Sequence, residues 1–467
     1  VNWIPADLFL PRVTKEEYQK LILLAKKSNC NMIRVWGGGV YEQDYFYELC
    51  DEHGILVWQD FMFACGSYPE HDEFIENINK EIHQVVERLQ HHPSIALWCG
   101  NNENEWIWYQ TQREPIETMS GFKIFHNIIP NIVKESDPER SYWPSSPFGY
   151  DEDPNDQQSG NTHQWDIWSN WIDYSEVTKD NSFFVSEFGF QGPANINTLE
   201  KCLSPEHRKI QDEKFEFHNK QVEGPERVLK FLAGHLPIST NWQDFIYLSQ
   251  LNQGLALKRC IEHWRANRPR TNGSIIWQLN DCWPVVSWSL VDSSYLPKMA
   301  YYFVKRAFAP AVLLFKLKNS SLKIYGLNQG LSSLKGYIKL VIINLSSAEI
   351  LYEITKKAIL IENSYKSAIN IPKAYQKNID EYIYIVTFYS EKDELIIRNF
   401  YITKEWKYIE TPKPNIEIKK GQSKKKNEIN ITTDKPAFFV DLYHPELSFS
   451  ERGFFILPEE KITLDII

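Results

Sequence analysis

The chain contains no long apolar run. Its longest near-candidate, Ala307 to Phe315, is half the ~18–20 residues that a membrane-spanning helix needs, so no membrane span is expected. Cysteine is sparse and scattered. Cys30, Cys50, Cys65, Cys99, Cys202, Cys260 and Cys282 form no CxxC pair and no dense framework, which fits neither a zinc site nor a disulfide-stapled mini-domain and leaves the redox compartment open. Positive charge is in deficit. With 51 Lys and Arg against 61 Asp and Glu the net charge is −10 and the pI about 5.7, so nucleic acid is not an expected partner. HExxH, P-loop, GxGxxG and G-x-S-x-G patterns are all missing, so no metal, nucleotide or other cofactor is expected. His91-His92-Pro93 reads as a helix end rather than a metal pair.

Aromatic residues are abundant instead. The 26 Phe, 24 Tyr and 16 Trp must bury apolar area, which excludes disorder over the whole length. At ~100–200 residues per domain, 467 residues suggest two to four domains. Tryptophan marks a boundary, since 15 of the 16 lie at or before Trp288. Beyond about Pro310 the text turns Lys-, Ile-, Ser- and Asn-rich. Alternating segments there, Leu322 to Leu327, Gly336 to Asn344 and Glu381 to Tyr389, read as strands. The expected division is residues 1–309, a first β-sandwich over 310–412, and a partial second β-sandwich over 413–467. Lys419 to Lys426 reads as a solvated loop. Sequons at Asn272, Asn319, Asn344 and Asn430 are what a chain rich in Asn, Ser and Thr gives by chance. Val1 opens directly on a strand pattern without a signal-like segment, so the chain reads as a fragment or a processed product.

The first part alternates strands and helices. Strands are expected at Asn2 to Asp7, Met32 to Trp36, Ile55 to Phe61, Ile95 to Trp98, Tyr142 to Ser145, Asn161 to Trp165, Phe183 to Ser186 and Ser274 to Leu279. Between the first two, Thr14-x-x-Glu17 forms a capping box, and Tyr18, Leu21, Ile22 and Ala25 share one helical face. A further helix ends at His53-Gly54, and another carries Phe74, Ile78, Ile82, Val85 and Leu89. Eight such units predict a (β/α)₈ barrel, a TIM barrel, followed by immunoglobulin-like β-sandwich domains. A doubly wound open sheet would want a glycine-rich loop after the first strand, where Pro5-Ala6-Asp7-Leu8 stands.

A barrel gathers the C-terminal ends of its strands into one site. Those ends carry Asp7, Arg34, Trp36, Gln59, Asp60, Asn102, Glu103, Ser145, Ser146, His163, Trp165, Glu187, Gln278 and Asp281. Two glutamates facing across the mouth suit glycoside hydrolysis, in which one carboxyl gives a proton and the other stays ionised. A single strand-end Glu is more often a salt-bridged surface residue; the pair, flanked by Trp, Asn and Arg, brings the odds to even. Gly37-Gly38-Gly39 reads as a turn that lets the chain pass close to a substrate.

Gly100-Asn101-Asn102-Glu103 and Ser186-Glu187-Phe188-Gly189-Phe190 resemble the acid/base and nucleophile motifs of family 2 glycoside hydrolases. The blocks Ile33 to Glu42, Val57 to Cys65 and Trp277 to Asp281 resemble the β-mannosidase branch, notably the animal lysosomal type. The resemblance implies a cofactor-independent retaining exo-β-mannosidase that removes terminal β-D-mannose from oligosaccharides by double displacement. An endo-β-mannosidase, another family 2 β-glycosidase and an inactive sugar-binding fragment are the alternatives. It also implies that Glu103 is the acid/base and Glu187 the nucleophile, with carboxyls roughly 5–5.5 Å apart rather than the ~6.5–9.5 Å of inverting enzymes. Asn102 would bond the sugar 2-hydroxyl, and Arg34 would keep Glu187 ionised. Trp36 and Trp277 would wall the sugar subsite, with Trp106 and His163 as further binding residues, and Asp7 and Asp281 would hold hydroxyls or cap loops. Family members often carry Tyr directly after the sixth-strand His, where this chain has Gln164. The β-domains that precede the barrel in the family are not in this sequence. The resemblance further implies lysosomal residence. It sets no oligomeric state.

Overall fold

The computed structural model describes residues 1–318, 321–421 and 427–467. The sequon at Asn319 and residues 422–426 of the Lys-rich stretch lie outside the described residues. Lys419 and Lys420, expected in a loop, instead close an exposed strand, Ile416–Lys420, whose partner strand supplies the ladder bonds. The chain divides into two compact units, residues 1–227 with 256–298, and residues 228–255 with 299–467.

The first unit is a (β/α)₈ barrel. Its strands are β1 (Asn2–Trp3), β2 (Met32–Val35), β3 (Leu56–Asp60), β4 (Ile95–Cys99), β5 (Ser141–Trp143), β6 (Thr162–His163), β7 (Phe184–Glu187) and β8 (Gly273–Ser274). β1 to β5 pair in sequence order, and β6 to β8 do likewise, all in parallel. The ring closes from the eighth segment to the first, where Asn2 N–H donates to the Ile276 carbonyl (2.8 Å) and Leu279 N–H to the Asn2 carbonyl (2.8 Å). β1 and β8 are shorter than the sequence suggests. Pro5 has no N–H to continue the first ladder. Residues 275–279 divide single bonds between β7 and β1, with Ile275 donating to Val185 and Trp277 to Phe188.

The helices begin and end on the signals in the sequence. Helix α1 (Lys15–Lys27) starts at the Thr14 capping box, with Thr14 N–H on Glu17 Oε2 (2.7 Å) and Glu17 N–H on Thr14 Oγ1 (3.3 Å). Helix α2 (Asp44–His53) stops where Gly54 turns left-handed at φ 65°. Helix α3 (Asp72–Leu89) buries Ile78, Ile82, Val85, Val86 and Leu89 on one stripe. His92 follows it and meets Asp51 Oδ2 through Nδ1 (2.6 Å).

The second unit is β-rich. One sandwich has a three-stranded sheet, ordered 364–369, 321–328, 311–318, and a four-stranded sheet, ordered 350–360, 334–344, 382–390, 395–401. Its core interleaves Leu313, Leu322 and Ile324 of the first sheet with Ile338, Leu340, Ile342 and Val386 of the second. The strands within 416–465 enclose a smaller core of Ile431, Ala437, Val440, Phe449, Ile456 and Leu464. Among the described residues, no helix is long and apolar enough to cross a membrane.

Candidate active site

Arg34, on β2, is fully buried inside the barrel, and all five of its N–H donors are used. Nε and Nη2 donate to Asp60 Oδ1 and Oδ2 (3.2 and 2.8 Å). Nη1 donates to Asn2 Oδ1 (3.0 Å) and Glu187 Oε1 (2.6 Å), and Nη2 also reaches Asn102 Oδ1 (2.7 Å). One side chain therefore ties β1, β3, β7 and the segment just after β4 together. One guanidinium also faces two buried carboxylates. Asp60 is fastened further by Gly37 N–H (3.0 Å) and Trp58 Nε1–H (2.9 Å). Gly37 has to be glycine, since a Cβ there would lie 2.6 Å from the Phe63 carbonyl oxygen.

Glu103 stands just beyond β4, at the N-cap of helix α4 (Asn104–Gln112), with a left-handed φ of 63°. A non-glycine residue is held in that region only by surrounding structure. The holding bonds are visible. Asn102 N–H donates to the Phe63 carbonyl (2.9 Å), Cys65 N–H to the Asn102 carbonyl (2.8 Å) and Glu103 N–H to the Ser146 carbonyl (2.8 Å).

The two glutamates meet at His163. His163 Nδ1 lies 2.7 Å from Glu103 Oε1 and 3.4 Å from Glu187 Oε2. Its Nε2 meets Ser146 Oγ (2.9 Å), which is bonded in turn to Asn161 and Ser186. Glu103, His163 and Glu187 each place one nitrogen or oxygen within 4.8 Å of the others, a spacing a cation could use. All three already serve this hydrogen-bonded cluster.

Burial sets the protonation states. It drives the His163 imidazole down to about 3, with Glu187 opposing, so the ring is neutral in the working range. It lifts Glu103 to about 7, against the smaller pull of Cys65 and Arg34. Burial also raises Glu187, and the Glu103 carboxyl adds to that rise, whereas His163 and the Arg34 guanidinium at 2.6 Å oppose it. The guanidinium bonded to Glu187 favours its ionised form, and burial keeps the proton on Glu103 up to about pH 7.

Of the expected site residues, Glu103, Glu187, Arg34, Asn102 and His163 are joined directly. Trp36 and Trp277 meet edge to face, with centroids 5.0 Å apart, and Trp106 lies 6.3 Å from His163. All three indoles are half-buried. Asp7 stays in its own loop, accepting from Phe9 N–H and Arg12. Asp281 accepts from Ser287 and Ser289 (2.7 and 2.6 Å) and fastens a loop. Gln164 turns away and donates to Asp180 (2.8 Å). Support for Glu187 comes one residue later, where Trp165 Nε1–H donates to its Oε2 (3.1 Å). Sequence reasoning named Trp165 only as a strand end. It named Cys65 only among the scattered cysteines and within a motif, although its sulfur lies 3.5 Å from Glu103 Oε2.

Residues 411–467 match the Ig_mannosidase family, described as an Ig-fold domain. The chain is 37% identical over 334 residues to a β-mannosidase B of Thermothelomyces thermophilus, covering 66% of this chain and 39% of that protein. It is 38% identical over 328 residues to a β-mannosidase B of Neosartorya fischeri, covering 66% and 38%. It therefore spans under two fifths of the length of these curated relatives. A solved β-D-mannosidase from Dictyoglomus thermophilum superposes on all of this chain with a TM-score of 0.91 and 41% identity, over 57% of its own length. An exo-chitosanase of Amycolatopsis orientalis, 17% identical with a TM-score of 0.74, shares the fold.

Proposed function

We propose that this chain carries the catalytic centre of a retaining exo-β-mannosidase that releases terminal β-D-mannose from oligosaccharides. The observation that carries the reading is the unequal carboxyl pair. One carboxyl is ion-paired to a saturated arginine, the other is held near pH 7 beside a neutral imidazole, and their oxygens lie within 4.8 Å. Inverting enzymes leave ~6.5–9.5 Å between the carboxyls to admit a water, so this closer approach favours retention.

In the first step Glu187 attacks the anomeric carbon while Glu103 protonates the departing oxygen. A covalent ester forms and the glycosidic bond breaks. Glu187 is then uncharged, the field on Glu103 changes, and Glu103 takes a proton from water as that water displaces the ester. Arg34 and Trp165 N–H orient the nucleophile, and both again face a carboxylate when it departs. Asn102 Nδ2 is the donor offered to a sugar hydroxyl, because its Oδ1 is committed to Arg34. The half-buried indoles of Trp36, Trp277 and Trp106 supply apolar faces for the ring.

Mannose as the sugar is supported by the fungal and bacterial relatives, whose names state β-mannosidase. The exo mode and the animal lysosomal type rest on motif resemblance, as does lysosomal residence. An acid that stays protonated below about pH 7 suits an acidic compartment. A second reading is favoured by coverage, since the relatives are far longer. On that reading the complete sugar site draws on further sequence, and the chain alone binds weakly. Assaying 4-nitrophenyl β-mannoside with this chain and with the complete gene product separates the two. Activity confined to the longer protein supports the second.

A further inference from the structure

We propose that Cys65 is a positioning residue that holds both the acid/base Glu103 and the sugar-facing amide of Asn102. The inference rests on the function proposed above. The Cys65 sulfur sits between the two groups, 3.5 Å from Glu103 Oε2 and 3.4 Å from Asn102 Nδ2. Its place is built by the backbone. The segment after β3 runs beside the segment after β4, with Ala64 bridged to Asn102 and Cys65 N–H bonded to the Asn102 carbonyl (2.8 Å). Cys65 itself is held at φ 52°, a left-handed conformation for which a Cβ-bearing residue is an unfavourable choice. Glycine would remove that strain but also the sulfur.

A thiol has one weak donor and one weak acceptor, and both are used here. Cys65 is exposed overall, but partial desolvation at the sulfur and the Glu103 carboxyl beside it raise the thiol above its ordinary value, so S–H is present in the neutral range. The S–H donates to Glu103 Oε2, and the sulfur accepts from the Asn102 side-chain Nδ2–H. A weak donor steadies the ionised acid/base for its second step without draining the proton needed for the first. A weak acceptor parks the amide where a sugar hydroxyl can claim it at little cost. Glu103 is also faced by neutral His163 on Oε1, by the Glu187 carboxyl across the mouth and by Arg34 behind it.

The test uses Cys65→Ala and Cys65→Ser, which place no new demand on the backbone because a Cβ is already tolerated. The pH profiles of kcat/KM on 4-nitrophenyl β-mannoside are compared with wild type, with thermal melts alongside. Losing the donor in Cys65→Ala raises the alkaline limb by about half a pH unit. The stronger hydroxyl donor in Cys65→Ser lowers it by a similar amount and raises KM several-fold, because Asn102 is held more tightly. Limbs that stay put, or move the same way in both variants, overturn the role while leaving the enzyme reading intact. If Cys65→Ala does not fold, the near-isosteric Cys65→Ser decides by its own downward shift. A wild-type protein that hydrolyses no β-mannoside overturns the function reading, and this role with it.

Discussion

Replacing Arg34 by Met should damage stability and activity together, and the structure sets the scale. Arg34 is the only cation bonded to Asp60 and Glu187 among the described residues. Its removal leaves two buried carboxylates without a counter-charge and strips Asn2 and Asn102 of a donor. Breaking a buried ion pair from one side costs about 3–5 kcal/mol. At about 2–4 °C per kcal/mol for a domain of comparable size, the barrel should melt roughly 6–20 °C lower. The deficit should depend on pH. Without Arg34, burial raises both carboxyls further, and a raised folded-state value favours folding below the unfolded value and ceases to do so as pH climbs. The loss should therefore be larger at pH 7 than at pH 4.5, by calorimetry of variant and wild type. Adding Asp60→Asn removes one orphan charge and should restore part of the melting temperature but none of the hydrolysis. A drop under about 2 °C, or a double variant that melts lower than the single, would refute the reasoning.

Glu103→Gln should lower kcat by roughly 10²–10⁴-fold on substrates with poor leaving groups, measured by released mannose, and less on the first turnover of a 4-nitrophenyl glycoside. The same change should raise the melting temperature more at pH 8 than at pH 4.5, because a buried carboxyl lifted to about 7 opposes folding once ionised. For wild type, kcat/KM should fall as pH rises through about 7, where the acid loses its proton, and a pH–rate profile checks this. Trp165→Phe should reduce kcat by about tenfold by removing one N–H from the Glu187 carboxylate, the proposed nucleophile, while Gln164→Ala should leave kcat near wild type, in steady-state assays on one substrate.

What the sequence made legible is what local patterns determine. The capping box at Thr14, the stop at Gly54 and the alternation of apolar strands with helical stripes identify the barrel, and strand ends then point to Arg34, Glu103, His163 and Glu187. Contacts set by irregular backbone were not legible. Trp165 reaches Glu187 because the chain beyond β6 turns Gln164 toward Asp180, and nothing in the text orders those two neighbours. Cys65 reaches Glu103 through a backbone bridge that joins segments 38 residues apart. Asp7 and Asp281 show the converse. Both were expected at strand ends, yet β1 stops at Trp3 and β8 at Ser274, and each aspartate is consumed by its own loop.

The most direct measurement is hydrolysis of 4-nitrophenyl β-mannoside, with the β-glucoside, β-galactoside and β-glucuronide alongside, by this chain and by the complete gene product. The anomer released first is read by proton NMR. The account expects cleavage of the mannoside alone, β-mannose as the first-formed product, and loss of both signals in Glu187→Ala. First release of α-mannose, or mannose binding without hydrolysis by either protein, would contradict it.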